Sequence, residues 1–155
     1  MNNTVKYAIV TIIILIPLSL GFNYIFSSKT SNNKPYEVLA PEVYEKGTKV
    51  SLYKETPPNF PKEVILENKI PDYSGVVTAP EGATQTTVSY ITDKSMEEVV
   101  DIYDRSLPLV GWKIVEKTVY TKVAIISFKK EKQSIFMSIA PLKEGDTLVT
   151  FQYEE

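Results

Sequence analysis

The stretch SMEEVVDIYDRSLPLVGWK, residues 95–113, decides the fold because it contains the clearest helix of the chain and leads into the strands that follow. Ser95 and Glu98 match the capping box, in which the serine hydroxyl and the glutamate carboxylate each accept a backbone amide of the first turn. The spacing predicts a helix over about Met96 to Ser106, which Pro108 ends and Gly111 follows. Apolar residues recur behind the cap at steps of three and four and share one face: Met96, Val99, Val100, Tyr103 and Leu107.

Segments typical of β-strands lie on both sides of this helix. They are rich in β-branched and aromatic residues and alternate with a period of two. The connectors between the later segments are short, which indicates antiparallel hairpins. The sequence therefore predicts an α+β domain in which an antiparallel sheet of about five strands packs against one helix. The predicted strands are Thr84 to Thr92, Trp112 to Tyr120, Lys122 to Lys130, Gln133 to Ala140 and Thr147 to Tyr153.

The segments before this domain contain prolines and alternate more weakly. Pro61 to Leu66 and Pro71 to Thr78 are predicted to be short edge strands or extended wrapping, because proline confines strand residues to edges. A patch from Val43 to Tyr53 around Gly47 alternates enough to pair with the domain as a loose hairpin.

An apolar run without charged side chains, Tyr7 to Ser28, comes before all of these segments. As a helix it would be about 33 Å long at about 1.5 Å per residue, which exceeds the hydrocarbon core of about 30 Å. The run predicts an N-terminal transmembrane helix that acts as an uncleaved signal-anchor of a single-pass protein. A cleaved signal peptide, with Ser19-Leu20-Gly21 as its cleavage site, and a buried helix of a soluble protein are the alternatives.

This interpretation divides the chain into a membrane anchor at 1–28, a stalk or linker at 29–56 and an α+β domain at 57–155. Prolines among polar residues make up the stalk, a composition that resists packing. Lysines flank the run on both sides, so the charge count does not fix its orientation. The short basic start before an apolar core is typical of export signals and favours an extracytoplasmic domain at the cell membrane. The bilayer, through residues 7–28, is the predicted lipid partner.

The composition excludes several kinds of chemistry. The chain has no cysteine and no histidine, so it cannot form a disulfide, a thiolate nucleophile, a Cys/His zinc site or a Ser-His-Asp triad. The net charge is −2, which argues against a nucleic-acid partner. We expect no catalytic residue, no cofactor and no metal site, and therefore no enzyme.

Several short motifs carry a resemblance to a known kind of domain. They are Phe60-Pro61-Lys62-Glu63-Val64, Tyr73-Ser74-Gly75, Thr92-Asp93-Lys94-Ser95 and Gly111-Trp112-Lys113. Together they resemble an uncharacterised bacterial envelope α+β domain that occurs on membrane-anchored or lipidated proteins. The resemblance covers about Pro57 to Glu155 and implies no activity. Pro108 departs from the pattern of that domain.

Two features suggest sites. Glu97, Asp101 and Asp104 lie opposite the apolar stripe of the helix and form a candidate interaction surface, although a solvated face explains them as well. Trp112 suits a core position better than a stacking platform for a ligand. Three functions are compatible with these observations: a membrane-anchored envelope protein whose outer domain binds a protein or wall component, a secreted binding protein released by signal cleavage, and a hydrolase that uses carboxylates.

Overall fold

The computed structural model describes residues 36–38, 44–64, 67, 69–143 and 145–155. These residues form an antiparallel sheet of eight strands, one α-helix and a short 3-10 helix at Lys62–Val64. The strands are β1 (Tyr36–Val38), β2 (Lys49–Leu52), β3 (Tyr73–Thr78), β4 (Thr84–Thr92), β5 (Lys113–Val119), β6 (Ala124–Lys130), β7 (Gln133–Pro141) and β8 (Thr147–Glu154), with helix α1 (Met96–Leu109) between β4 and β5.

The strands follow the order β1-β2-β3-β4-β8-β7-β6-β5. Strands β5 to β8 form a meander of hairpins, and β8 returns beside β4. Strand β5 is the last strand on one side of this meander, and β4 lies next to the meander on the other side. Helix α1, which connects β4 to β5, must therefore cross one face of the sheet. This arrangement confirms the predicted antiparallel meander packed against one helix.

The sheet is larger than predicted. The prediction of about five strands was wrong because β1, β2 and β3 extend the sheet beyond β4. Strand β3 lies between β2 and β4 and is not an edge strand, because Pro71 precedes its first paired residue and leaves its amides free to pair. The expected pairing of the patch at 43–53 with the domain is observed for β2.

The segment predicted as an extended strand at Pro61 to Leu66 forms the 3-10 helix over residues 62–64 instead. The amide of Val64 donates to the carbonyl of Pro61 at 3.1 Å, and the Val64 side chain is buried. Proline is well suited to begin a helical turn because its fixed φ matches the first turn and its missing donor is not needed there. The turn thereby replaces the predicted edge strand.

Helix α1 continues to Leu109, three residues beyond the predicted end, and contains Pro108. Pro108 has no amide to donate to the Asp104 carbonyl, and the residues after it close the helix end. The amide of Gly111 donates to Pro108 and the amide of Trp112 donates to Leu107, at 3.2 and 3.1 Å. With Gly111 at φ +93°, these bonds form a Schellman motif, which satisfies the final carbonyls of the helix.

The core lies between α1 and the sheet. Aromatic rings meet at its centre: Phe151 packs edge-on against Tyr103 at 5.4 Å and against Phe60 at 6.0 Å, and stacks on Tyr90 at 6.1 Å. Around these rings lie buried apolar residues of α1, β6, β7 and β8, among them Val99, Leu107, Phe128 and Met137, together with Trp112 between α1 and β5. The sheet and the helix therefore share one continuous core.

The prediction of a transmembrane, membrane-bound chain is not supported by the structure and is corrected here. Within the described residues, no helix is long and apolar enough to cross a membrane. Helix α1 has 14 residues, about 21 Å at about 1.5 Å per residue, and carries acidic side chains on its outer face. The apolar run at 7–28 lies outside the described residues. The predicted extracytoplasmic location is untested and stays a prediction.

Candidate functional site

Strand β5 forms one edge of the sheet and is unusually exposed. Its inner neighbour β6 alternates between buried and partly exposed residues, as a strand over a core does. In β5 six of the seven residues are exposed and none is buried. The edge strand therefore presents side chains on both faces to solvent.

Four apolar side chains lie along this edge, and we call them the edge patch: Ile114, Val115, Val119 and Tyr120. Their exposed fractions are 40%, 66%, 50% and 59%. At about 3.3 Å per residue the patch extends for roughly 20 Å. Leu109 and Val110, at the end of α1, are also exposed and immediately precede the strand. An exposed apolar cluster of this kind is typical of an interaction site.

The Schellman motif fixes where β5 begins. Trp112 follows Gly111, is 1% exposed and packs into the core beside α1. Because the indole is buried, the chain leaves the helix in a set direction, and β5 starts at the next residue. The geometry of the helix end thus positions the edge patch.

A β-bulge shapes the middle of the patch. The register of β5 against β6 shifts between Ile114 and Glu116, which leaves Val115 without a partner across the ladder. A bulged residue bends the strand and redirects its side chain. Val115 is accordingly the most exposed member of the edge patch.

Charged residues border the patch unevenly. Lys113 lies directly across from Lys129, and both lysines are exposed. Like charges directly opposite each other on a sheet are unfavourable, so this end of β5 carries unbalanced positive charge. Glu116 lies across from Ser127, which offers it no opposite charge.

The predicted acidic surface on α1 is not a uniform acidic stripe. Glu97 is exposed on the outer face. Asp101 pairs with Arg105 at 2.7 Å. Asp104 turns toward the sheet, where its carboxylate accepts a hydrogen bond from Lys117 of β5. Two of the three carboxylates thus have basic partners, and their role in binding stays a prediction.

Two further charge clusters join loops to the domain. Lys130 donates to Glu63 at 3.0 Å and lies 5.8 Å from the centre of the Trp112 ring. The pKa of Glu63 is lowered, first by a hydrogen bond from its own backbone amide and then by Lys130, with a smaller effect of the Trp112 indole. That indole N–H has no hydrogen bond of normal geometry, so we attribute its effect on Glu63 to proximity. This cluster holds the 3-10 helix against the end of β6.

The second cluster surrounds Glu67, whose carboxylate accepts hydrogen bonds from Thr92 at 2.9 Å and from Lys94 at 3.3 Å. Lys69 pairs with the same carboxylate at 3.4 Å. The cluster fastens the segment before β3 to the connection between β4 and α1. Among the residues that the structure describes, no three His, Cys, Asp or Glu side chains gather closely enough to hold a metal ion.

The face of the sheet opposite α1 is more polar. Ser89 of β4 and Thr150 of β8 lie opposite each other with their hydroxyls 3.0 Å apart, and both residues are buried. Phe136 is 38% exposed beside Gln152. Small polar residues dominate this face, and it carries fewer exposed apolar side chains than β5.

Sequence reasoning missed the edge patch, although the signal for it was present. Ile114-Val115 and Val119-Tyr120 are pairs of adjacent apolar residues. In a regular strand, neighbouring side chains point to opposite faces, so one member of each pair had to leave the core. The sequence alone did not show that β5 would be the outermost strand.

The fold and this surface define a sheet-dominated α+β domain with an exposed apolar edge. A family described as START domain-like matches residues 73–147. The matched region runs from the start of β3 to the first residue of β8. No curated protein and no solved structure matches the chain. The comparisons contain nothing on the envelope or lipidated proteins that the motifs resemble.

Proposed function

We propose that this domain is a non-catalytic protein-binding module that contacts its partner at the edge patch. START-like domains are generally binding domains, and the START domain-like match over β3 to β8 supports a binding role. The single observation that carries the proposal is the exposed apolar edge of β5. Large apolar side chains at the surface are enriched in protein interfaces.

The interior between α1 and the sheet is a less suitable place for a ligand. Its centre is filled by Tyr90, Tyr103 and Phe151, each at most 1% exposed. The hydroxyls of the two tyrosines are 2.7 Å apart, so the polar atoms in this region bond to each other. A ligand would have to displace these packed rings, whereas the edge patch is accessible without rearrangement.

The sequence led us to expect that the domain binds either a protein or a wall component. Of these two kinds of partner, the edge patch favours a protein. A polysaccharide is best recognised by hydrogen-bonding groups, and the edge patch presents mainly hydrocarbon. The carboxylate-dependent hydrolase is not favoured, because Asp101 and Asp104 are paired with Arg105 and Lys117.

Site-specific photocrosslinking in cells that produce the full chain tests the proposal. A photoreactive residue at Val115 or Val119 should give adducts of the same defined mass. The matched control is Glu81, which is exposed in the turn between β3 and β4 and should give no such adduct. The second variant Tyr120→Lys should lower adduct formation from Val115 at least fivefold while leaving the circular dichroism spectrum unchanged. Equal adduct formation from Val115 and Glu81 would contradict the proposed function.

A further inference from the structure

We propose that the partner is an extended peptide segment that adds to β5 as a new antiparallel strand. In this segment an acidic residue lies opposite Lys113, a basic residue lies opposite Glu116, and apolar residues lie opposite Ile114 and Val119. This inference rests on the proposed function and specifies the chemistry of the partner. The backbone of β5, its exposed side chains and its charges each support it.

The backbone of β5 is paired on one side only. Among the described strands, β6 is its single neighbour. In an antiparallel ladder, alternate residues direct their N–H and C=O groups to opposite sides. The outward groups of β5 are therefore available to another strand, and the addition of an extended peptide to such an edge is a known mode of recognition.

Native sheets protect their edge strands by short length, charged side chains or bulges. Strand β5 has seven residues and carries three members of the edge patch. A lysine can protect an edge, but Lys117 is tied to Asp104 of α1. This ion pair draws the Lys117 charge toward the helix, so the edge is open from Glu116 to Val119, beyond Lys113 and the bulge.

The bulge divides the edge into two parts with different roles. From Glu116 to Val119 the register against β6 is regular, so this part can form a continuous ladder with an added strand. At Val115 the ladder is interrupted, and the exposed side chain makes apolar contact instead. A partner therefore combines backbone pairing with one apolar anchor near the bulge.

The charges of β5 specify the partner's side chains. An acidic residue opposite Lys113 would balance the Lys113 and Lys129 pair. A basic residue opposite Glu116 would supply the opposite charge that Ser127 does not provide. Ile114 and Val119 lie on the helix side of the sheet, as their partners Phe128 and Ala124 show, and apolar residues opposite them would extend the core. Opposite charges and apolar pairs across a ladder each stabilise it.

A second copy of the chain fits this edge less well. Two-fold pairing of β5 with itself must keep equivalent faces of the sheet together. The two longest registers that satisfy this condition place Glu116 against Glu116 or Lys117 against Lys117. Because like charges directly opposite each other are destabilising, the pattern of β5 favours a different sequence.

Synthetic peptides titrated into the full chain test the inference. The first peptide is Ser-Val-Thr-Thr-Lys-Val-Glu-Ser. When it lies antiparallel to β5 and the bulged Val115 is skipped, as in the ladder with β6, its Lys lies opposite Glu116 and its Glu lies opposite Lys113. In the second peptide, the Lys and the Glu are exchanged. The third peptide carries N-methyl groups on the alternate residues whose amides face β5. Hydrogen exchange is measured for each peptide at those amides between Glu116 and Val119 that point away from β6. The first should slow exchange at these amides at least fivefold.

The other peptides and one variant supply the controls. Exchange of Lys and Glu should weaken binding at least fivefold, and N-methylation should weaken it at least tenfold because it removes backbone donors. The variant Lys113→Glu gives each of these two peptides one favourable and one like-charge pair, so it should bind the first and the exchanged peptide about equally. Equal binding of the N-methylated peptide would overturn strand addition, and unchanged preference in Lys113→Glu would overturn the assigned charges.

Failure of the inference and failure of the proposed function give different results. If no peptide protects β5 while crosslinks from Val115 persist, strand addition is wrong and the protein-binding function stands. If crosslinks are absent as well, both are wrong. A stable dimer in sedimentation experiments without peptide, with the amides of β5 protected, would identify a second copy as the occupant and overturn the inference.

Discussion

Replacement of Trp112 by alanine should destabilise the domain severely. The indole is 1% exposed in the core and follows the Schellman motif that ends α1. Truncation of a buried aromatic residue costs about 3–5 kcal/mol. Lys130 lies 5.8 Å from the ring centre, and the loss of this cation–π contact adds about 0.5–1 kcal/mol.

One effect opposes this loss. The buried indole N–H lacks a hydrogen-bond partner, and an unsatisfied buried donor costs about 1–3 kcal/mol. Its removal offsets part of the cavity cost, so we expect a net loss of about 3 kcal/mol for Trp112→Ala. The matched variant Trp112→Phe also removes the N–H but retains an aromatic ring, so it leaves a smaller cavity and should cost less than Trp112→Ala.

Urea unfolding followed by circular dichroism measures both free energies. At about 2–4 °C per kcal/mol for a chain of this size, Trp112→Ala should lower the Tm by about 6–12 °C. The chain has one tryptophan, so the fluorescence of the unmodified protein reports on this site alone and should resist quenching by acrylamide. A loss below about 1 kcal/mol for Trp112→Ala, with a readily quenched fluorescence, would refute the core assignment.

Further changes test the helix ends and the charge cluster at Glu63. Ser95→Ala removes the hydroxyl that accepts a hydrogen bond from the Glu98 amide at 3.2 Å. This change should cost about 0.5–2 kcal/mol of stability and speed hydrogen exchange in the first turn of α1. Glu97→Gln, on the same turn, is the control and should change the stability little. Gly111→Ala should cost about 1–2 kcal/mol because the residue has a left-handed backbone, whereas the nearest side-chain atom to the new methyl group, Lys130 Cε at 3.6 Å, is at ordinary contact distance; an unchanged urea midpoint would contradict this reason. The pKa of Glu63 is lowered in the folded state from 4.5, so its stabilising effect is present above pH 4.5 and declines as the pH falls through the folded pKa. Glu63→Gln should therefore be less stable than the unmodified protein at pH 7, and this difference in the free energy of unfolding should shrink as the pH falls below 4.5; a difference independent of pH would show that the Glu63 charge is not its cause.

Local sequence patterns determined the centre of the fold. The cap at Ser95 and the three-four spacing behind it identified α1, because both signals depend only on residues within a few turns. The alternation and short connectors after Trp112 identified the hairpins of β5 to β8 for the same reason. The burial of Trp112 followed from its position between an apolar helix and a strand. These features did not require knowledge of distant contacts.

Tertiary structure decided the rest. Proline near β3 suggested an edge, but pairing with β2 and β4 placed that strand inside the sheet. Pro108 suggested an earlier helix end, but hydrogen bonds from Gly111 and Trp112 closed the last turn around it. Strand order places β5 at an edge, and this order arises from the crossing of α1 over the meander. The edge patch is therefore a consequence of long-range packing, since the same apolar pairs within the sheet would have been covered by a neighbouring strand.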